Sequence, residues 1–589
     1  MWIKRVLKGT LLTVVIGGIG LAGWQGYQYW NAEQMDASLN EPETIVWQGN
    51  RPMPPTVDPG AYLTAMHASF RDDLQTAADS YLKVYNGDPK SPQAQREAYF
   101  FNALLGRFDQ LKPVVREISE EYRFALFTDY VQAAYALKQE NWAAARQVLE
   151  DAKDLPLGEV MKPLLLAWTY VGENDYSAAM KALEPLKQNP ELSPYYDYHR
   201  GLMALAMKQE FAADDAFQAL AEKDLPIFSL YPEVIAFYIS RGQWTVANPF
   251  YVQWKAFVAQ QPATGELITA TTSKPLTAKR GVAEVFYNMS TAMGSSQSSY
   301  EGALVLSALS LYLNTKQDLP KIWSAEILEQ VKKPHLAAYY YNQLNYAETQ
   351  TIAFKKAMNL MACGRESEAK PILIRLKSTN KNSVQLWWAL ADVYQNEKNW
   401  PAAVQCYTHI LDIEGESNRK LASNTYFARA FVYGAQKNKY KEEQDLQRAM
   451  ELNPENPMIL NHLGYQWLEN DQTLDKGFDL VQKAYKLRSS DPHIIDSMAY
   501  GYYRKADYQK ALPLAEKTVD IMPQSSVANV HLGDIYEALG RHREAIFQYK
   551  KALALKYDLT PELKQEILSK ISLQKKVLSK QNHKYLVEK

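Results

Sequence analysis

The sequence predicts an all-α solenoid built from helix–turn–helix pairs, and three observations predict it. Asn-Trp-x-Ala-Ala occurs twice, at Asn141–Ala145 and at Asn399–Ala403. Around these copies an aromatic or polar residue is followed three positions on by Ala, then by an apolar residue four further along. Trp142/Ala145, Tyr176/Ala179, Trp244/Ala247, Trp400/Ala403, Tyr508/Ala511 and His542/Ala545 all fit, and Tyr300/Ala303 fits in its first two positions. The steps Ala145–Ala179–Ala213–Ala247, Ala369–Ala403 and Ala511–Ala545 are each 34 residues. A fixed period of this length marks stacked supersecondary units, each of which buries its apolar flank only against a neighbour.

Composition agrees with a large folded body. The chain has 589 residues, 47% hydrophobic and 22% charged, enough to bury a substantial core. Lys+Arg 65 against Asp+Glu 66 leaves a net charge of -1, without the basic excess of a general nucleic-acid binder. The two cysteines, Cys363 and Cys406, supply neither a disulfide framework nor a zinc constellation and are expected as free thiols.

Taken in order, residues 1–9 form a basic N-terminus with Lys4, Arg5 and Lys8. Residues 10–30 carry no charge and end in Trp24, Tyr27, Tyr29 and Trp30, so they are expected to cross a membrane as a signal-anchor helix. The flanking charges would keep the N-terminus cytoplasmic and place the body in the periplasm, on a single-pass inner-membrane protein. The competing reading is a cleaved signal peptide, with Gly20 and Ala22 before the cut and a soluble periplasmic or secreted body. No cysteine lies near this segment, which excludes a lipoprotein. Gly18-Ile19-Gly20-Leu21-Ala22-Gly23 matches G-x-G-x-x-G in letters only, since it lacks the preceding strand and the downstream acid of a dinucleotide site. Gly18, Ala22 and Gly26 recur every four residues, a spacing that lets two helices approach and admits homo-oligomerisation. Residues 31–60, with Pro42, Pro52, Pro54, Pro55 and Pro59, read as an extended linker.

The repeats follow: an N-terminal array over 61–257, an extended loop over 258–280, and a C-terminal array over 281–558. The loop lies inside the 56-residue step from Ala247 to Ala303. Residues 559–589 form a capping helix and tail, opened by Pro561 and carrying Leu563, Ile567 and Ile571 at helical spacing. The second-helix small position falls on Ala145, Ala179, Ala403, Ala511 and Ala545, where paired helices cross. Tyr407, Gly533 and Tyr536 belong to the same packing pattern. Leu111, Glu442 and Gly477 occupy that small position and depart from it.

A 34-residue helix–turn–helix period is the signature of the tetratricopeptide repeat. The chain moreover resembles multi-repeat tetratricopeptide proteins of alphaproteobacteria that are exported to the cell envelope. The stretches that carry this are GAYLTAMHASFRDDLQTAADSYLKVY, GVAEVFYNMS, NHLGYQWLEN, DPHIIDSMAYGYYRKADYQKAL and VHLGDIYEALGRHREAIFQYKKAL. The resemblance implies a non-catalytic scaffold and no cofactor.

Nothing in the sequence marks a catalytic centre. Its nine histidines are scattered, and no H-E-x-x-H, G-x-S-x-G or P-loop occurs. No catalytic residue, metal ligand or cofactor is therefore assigned. His409 lies near Cys406 without a second ligand pair. What remains is surface. By analogy with the repeat family, the first helix of each pair lines a concave groove. Its expected residues are Trp388, Asp392 and Gln395, then Phe427 and Phe431, Asn461 and Tyr465, Asp496, Tyr500 and Tyr503, and Asp534. Aromatic rings among amides and acids suit an extended protein segment. The expected function is a membrane-tethered scaffold binding protein partners on the periplasmic side. The alternative is a carbohydrate-handling module for polysaccharide export or cell-wall assembly.

Overall fold

The computed structural model describes residues 58–71, 73–118, 127–153, 155–223, 231–260, 276–294, 299–344, 349–555 and 559–587. Among these residues there are helices and no strand. They divide into two compact units, 58–381 and 382–587. Residues 261–275, most of the expected loop, lie outside the description and fall inside the sequence span of the first unit.

The first unit begins with α1 Pro59–Phe70, α2 Leu74–Gly87, α3 Pro92–Leu104, a 3-10 turn Phe108–Leu111 and α4 Lys112–Glu117. It continues with α5 Thr128–Lys138, α6 Trp142–Asp151, α7 Gly158–Gly172, α8 Tyr176–Lys187, α9 Ser193–Ala206, α10 Glu210–Ala221, α11 Tyr231–Ile239 and α12 Trp244–Gln260. After the loop come α13 Ala278–Met293, α14 Tyr300–Leu313, α15 Leu319–Gln330, α16 Pro334–Tyr341, α17 Gln350–Ala362 and α18 Glu366–Thr379. Leu111 closes the 3-10 turn instead of sitting on a full second helix.

The turn between paired helices explains the period in backbone terms. Glu140, Asn174 and Lys208 have φ of 58°, 61° and 59°, and Gly106 and Gly242 have φ of 69°. These left-handed residues stand 34 apart, and the same turn recurs at Gly364, Lys398, Lys437, Ala506 and Gly540. In several copies the next residue caps the second helix. Asn141 accepts from the Ala144 N–H, Asp175 from Ala178, Asn399 from Ala402 and Asp507 from Lys510. Ala145, Ala179, Ala213 and Ala247 are each fully buried where the two helices cross.

The hairpin α13–α14 departs from simple stacking. It packs on α3, α5, α7 and α9, the first helices of the preceding pairs. A Cβ on Gly281 would lie 2.4 Å from the Trp168 ring, and Phe286 meets Tyr130 edge-on at 6.2 Å. Glu284 accepts from the Tyr198 hydroxyl at 3.2 Å, Arg96 pairs with Glu301 at 2.7 Å, and Tyr312 donates to Asp109 at 2.7 Å. Residues 281–290 of α13 are all buried, as are most of α14, YEGALVLSALSLYL. A helix apolar on all sides must be enclosed, and here it lies against the inner helices of its own unit.

The second unit is a run of pairs: α19 Val384–Asn396 with α20 Trp400–Glu414, α21 Arg419–Ala435 with α22 Lys439–Leu452, and α23 Pro457–Leu468 with α24 Leu474–Leu487. Then come α25 Pro492–Arg504 with α26 Tyr508–Ile521, α27 Ser526–Ala538 with α28 His542–Ala554, and the long α29 Pro561–Val587. Ala403, Tyr407, Ala511, Gly533, Tyr536, Ala545 and Tyr549 are buried. A Cβ on Gly533 would meet the Tyr549 ring at 2.5 Å. Each departure from the small position has a local partner. Glu442 faces Gly434, where a Cβ would stand 2.7 Å from its carboxylate, and it also meets His462 Nε2 at 3.1 Å. Gly477 lies against the backbone of Gly464 and Leu468. Ile567, Ile571 and Gln574 of α29 are buried, and Gln574 Oε1 meets His542 Nδ1 at 2.7 Å.

The expected inner-membrane location requires correction. Among the described residues no helix is long and apolar enough to cross a membrane. The 27-residue α29 reaches about 40 Å, but it carries Glu562, Lys564, Glu566, Lys570, Lys575, Lys576 and Lys580. The next longest, α12 and α21, have 17 residues each, short of the roughly 20 needed. Residues 10–30, the Gly18–Ala22–Gly26 stripe and the linker up to residue 57 lie outside the described residues.

Candidate functional site

In the second unit the first helices α19, α21, α23, α25 and α27 set the expected groove residues in rows. Trp388, Phe427, Asn461 and Asp496 occupy equivalent positions, about one repeat apart, and His531 stands one residue past the equivalent position on α27, Val530. One turn further on stand Asp392, Phe431, Tyr465 and Tyr500. Side chains four apart share a helix face, so each pair of rows belongs to one surface.

The α19 end of these rows is enclosed. Trp388 is buried and meets Tyr407 edge-on at 4.9 Å. Gln395 donates to the Tyr407 hydroxyl at 2.7 Å. Asp392 is buried, and that burial pushes its carboxyl up to about 7. On α21, Phe427 is half-buried against Phe431 at 6.1 Å and His462 at 6.0 Å, while Phe431 is exposed.

Further along, half-buried Tyr465, Tyr500 and Tyr503 form a wall with the buried His531. Tyr465 and Tyr500 lie with ring centroids 5.2 Å apart, Tyr500 stacks on Tyr503 at 6.1 Å, and Tyr500 stacks on His531 at 4.7 Å. His531 Nδ1 meets Asp496 Oδ2 at 2.9 Å, and its Nε2 lies 3.4 Å from the Tyr465 hydroxyl. Burial works against a charged imidazole, but the adjoining Asp496 carboxylate outweighs it and holds the His531 pKa above its ordinary value. The second Asp496 oxygen, Oδ1, and Asn461 Oδ1 are buried without a hydrogen-bond partner. Asp534 closes the wall. It accepts from the Tyr549 hydroxyl at 2.6 Å and from Lys570 Nζ at 2.7 Å on each oxygen, so the last helix is pinned to the inner face.

His531 is the member of this site that sequence reasoning missed. Counting by repeats from Asp496 leads 34 residues on to Val530, so the register gave no signal for its neighbour His531. Among the described residues there is no group of three or more His, Cys, Asp or Glu placed to hold a metal. Cys363 is half-buried and Cys406 buried, and neither is in a disulfide.

With this geometry in place, comparison with known proteins identifies the repeat. Residues 527–558 match the tetratricopeptide repeat family. The match covers all but the first residue of α27 and the whole of α28, and so includes His531 and Asp534. A TPR repeat-containing protein of Pseudomonas aeruginosa is 29% identical over 180 residues, 30% of this chain and 29% of the relative. The human antiviral innate immune response effector IFIT1 is 26% identical over 217 residues, 36% of this chain and 44% of that protein. The chain thus spans less than half the length of either relative. Among solved structures, a tetratricopeptide repeat protein from Parabacteroides merdae has 15% identity and a TM-score of 0.34, with 44% of this chain and 98% of that one covered. These matches show tetratricopeptide relatives. They do not show the expected alphaproteobacterial kinship or envelope export. The described residues form an all-helical, tetratricopeptide-like solenoid.

Proposed function

We propose that the chain binds an extended segment of a partner protein along the wall Tyr465–Tyr500–Tyr503–His531 of the second unit. The observation that carries this is the pair of buried, unpartnered acceptors, Asn461 Oδ1 and Asp496 Oδ1, on neighbouring rungs beside half-exposed rings. Buried acceptors without donors are costly, and an extended backbone offers N–H donors while its side chains lie on the rings. The inner helices of the first unit are already covered by α13–α14, so the second unit supplies the more open surface for this role. The chain acts here as a scaffold without chemistry of its own.

The test is selection of a random-sequence peptide library on the full chain, followed by binding to Tyr500→Ala and Asp496→Asn. Peptides held by the wild type should weaken at least tenfold on both variants while the melting temperature stays within a few degrees. Peptides that bind the variants as tightly as the wild type would overturn the reading. Retention of glycans in place of peptides, lost on Tyr500→Ala, would favour the carbohydrate-handling alternative.

A further inference from the structure

In most described pairs, the apolar residue four positions after the crossing Ala is sealed. Leu149, Leu183, Phe217, Tyr407 and Tyr549, which follow Ala145, Ala179, Ala213, Ala403 and Ala545, are fully buried. The pair α11–α12 breaks this rule. Ala247 is buried, yet Tyr251 is 41% exposed, and its neighbours Trp244 and Val252 are 56% and 55% exposed. Trp244 and Tyr251 meet edge-on at 6.5 Å on one face of α12. Phe211, at the start of the adjoining α10, is 95% exposed, and Ile239, at the end of α11, is 39% exposed. Arg241 pairs with Glu210, which ties the end of α11 to the start of α10 beside Phe211.

The cause lies in the path of the chain. A repeat flank is covered by the next hairpin in the stack. After α12 the next described hairpin, α13–α14, packs on α3, α5, α7 and α9. The flank of α11–α12 is therefore left with its aromatic side chains in solvent.

We propose that this flank is a self-association surface, on which a second copy of the chain seats its own Phe211, Trp244, Tyr251 and Val252 about a two-fold axis. Three arguments select a second copy. A large aromatic side chain buries about 150–250 Å², so the five side chains at their exposures present roughly 500 Å². That is at the size of the largest apolar patch on an ordinary monomer, about 300–600 Å². Doubled across a two-fold it gives about 1,000 Å², the lower bound for a specific interface. The rim bears both signs, with Glu210, Asp215, Arg241 and Lys255, so a copy rotated by two-fold symmetry can set acid against base. The net charge of -1 adds no long-range repulsion between copies.

The experiment is sedimentation equilibrium of the full chain from about 1 to 100 μM, with Phe211→Glu/Trp244→Glu and, independently, Val252→Arg. All three positions are exposed, so the variants should keep the wild-type helical circular dichroism and melting temperature. If the double variant does not fold, Val252→Arg alone carries the test. The wild type should reach twice the monomer mass within this range, and the folded variants should stay monomeric or dissociate at least tenfold more readily. A wild type that stays monomeric throughout overturns the proposal, as does a dimer unchanged in both variants.

Discussion

A methyl group placed on Gly477 would stand 2.8 Å from the carbonyl oxygen of Gly464, and one on Gly464 would stand 3.0 Å from the carbonyl oxygen of Gly477. Helices α23 and α24 thus cross backbone on backbone, closer than Ala allows at the same position in the other pairs. Gly477→Ala should force the helices apart. Overpacking costs about 1–3 kcal/mol, against a helix-propensity gain of about 1 kcal/mol. A net loss is expected in urea unfolding followed by circular dichroism, and an unchanged midpoint would show that the crossing relaxes freely.

The Trp168–Gly281 contact gives the matching test in the first unit. Gly281→Val places a branched side chain where even a Cβ falls 2.4 Å from the indole. The α13–α14 hairpin should loosen from α7 and α9. Limited proteolysis should then cut near residues 276–300 faster than in the wild type, while cleavage within 382–555 stays unchanged. Equal cutting in both proteins would contradict the packing described.

Ala506 holds φ at 59° in the turn between α25 and α26. A non-glycine residue in this region costs about 1–2 kcal/mol, and glycine brings back about 0.4–1 kcal/mol of unfolded-state entropy. Ala506→Gly should stabilise the protein by about 0.5–1 kcal/mol, read as a higher urea midpoint. Lys505→Gly, one residue earlier at φ -86°, should bring no such gain.

Three buried groups set opposing pH trends. Burial lowers the His199 pKa to about 3. The unfolded chain then takes up its proton first as pH falls below about 6.5, so this residue destabilises the fold progressively from there to about pH 3. His531 has a raised pKa, so its contribution is full below the unfolded value and fades as pH rises through the raised one. Burial raises Asp392 to about 7, so its ionisation costs stability as pH climbs from about 4 to 7. Melting temperatures across pH 4–8 should show Asp392→Asn flattening the loss on the neutral side and His199→Gln flattening the loss on the acid side. Curves that superimpose on the wild type would refute the assignments.

The repeat was legible because its determinants are local. The left-handed turn, the cap after it and the crossing Ala all lie within a few residues, so their period shows in one dimension. Tyr465, Tyr500 and Tyr503 could be placed on one face by the same counting. Trp388 shows where counting fails. Trp387 and Trp388 are adjacent rings on a helix enclosed along much of its length, and periodicity does not fix which of them turns toward Tyr407. The hairpin α13–α14 was beyond reach for a different reason. Its apolar pattern suits both stacking and insertion, and the residues that decide between them, Trp168 and Arg96, lie more than a hundred positions upstream.

That insertion also dictates an order of assembly. Arg96 waits for Glu301, 205 residues later, and the Leu104 carbonyl waits for the Tyr340 hydroxyl, 236 residues later. At about 5–20 residues per second, a ribosome takes roughly 10–50 s to close that gap. The nascent first unit therefore spends that interval with the inner face of α3 bare, and shorter ones with those of α5, α7 and α9 bare, open to chaperones and to premature contacts. The second unit can close repeat by repeat, since Asp496 meets His531 only 35 residues on and Asp534 meets Lys570 only 36 residues on. The half that leaves the ribosome first thus has the more non-local, slower-closing contacts, and the half that leaves last has the local, faster ones.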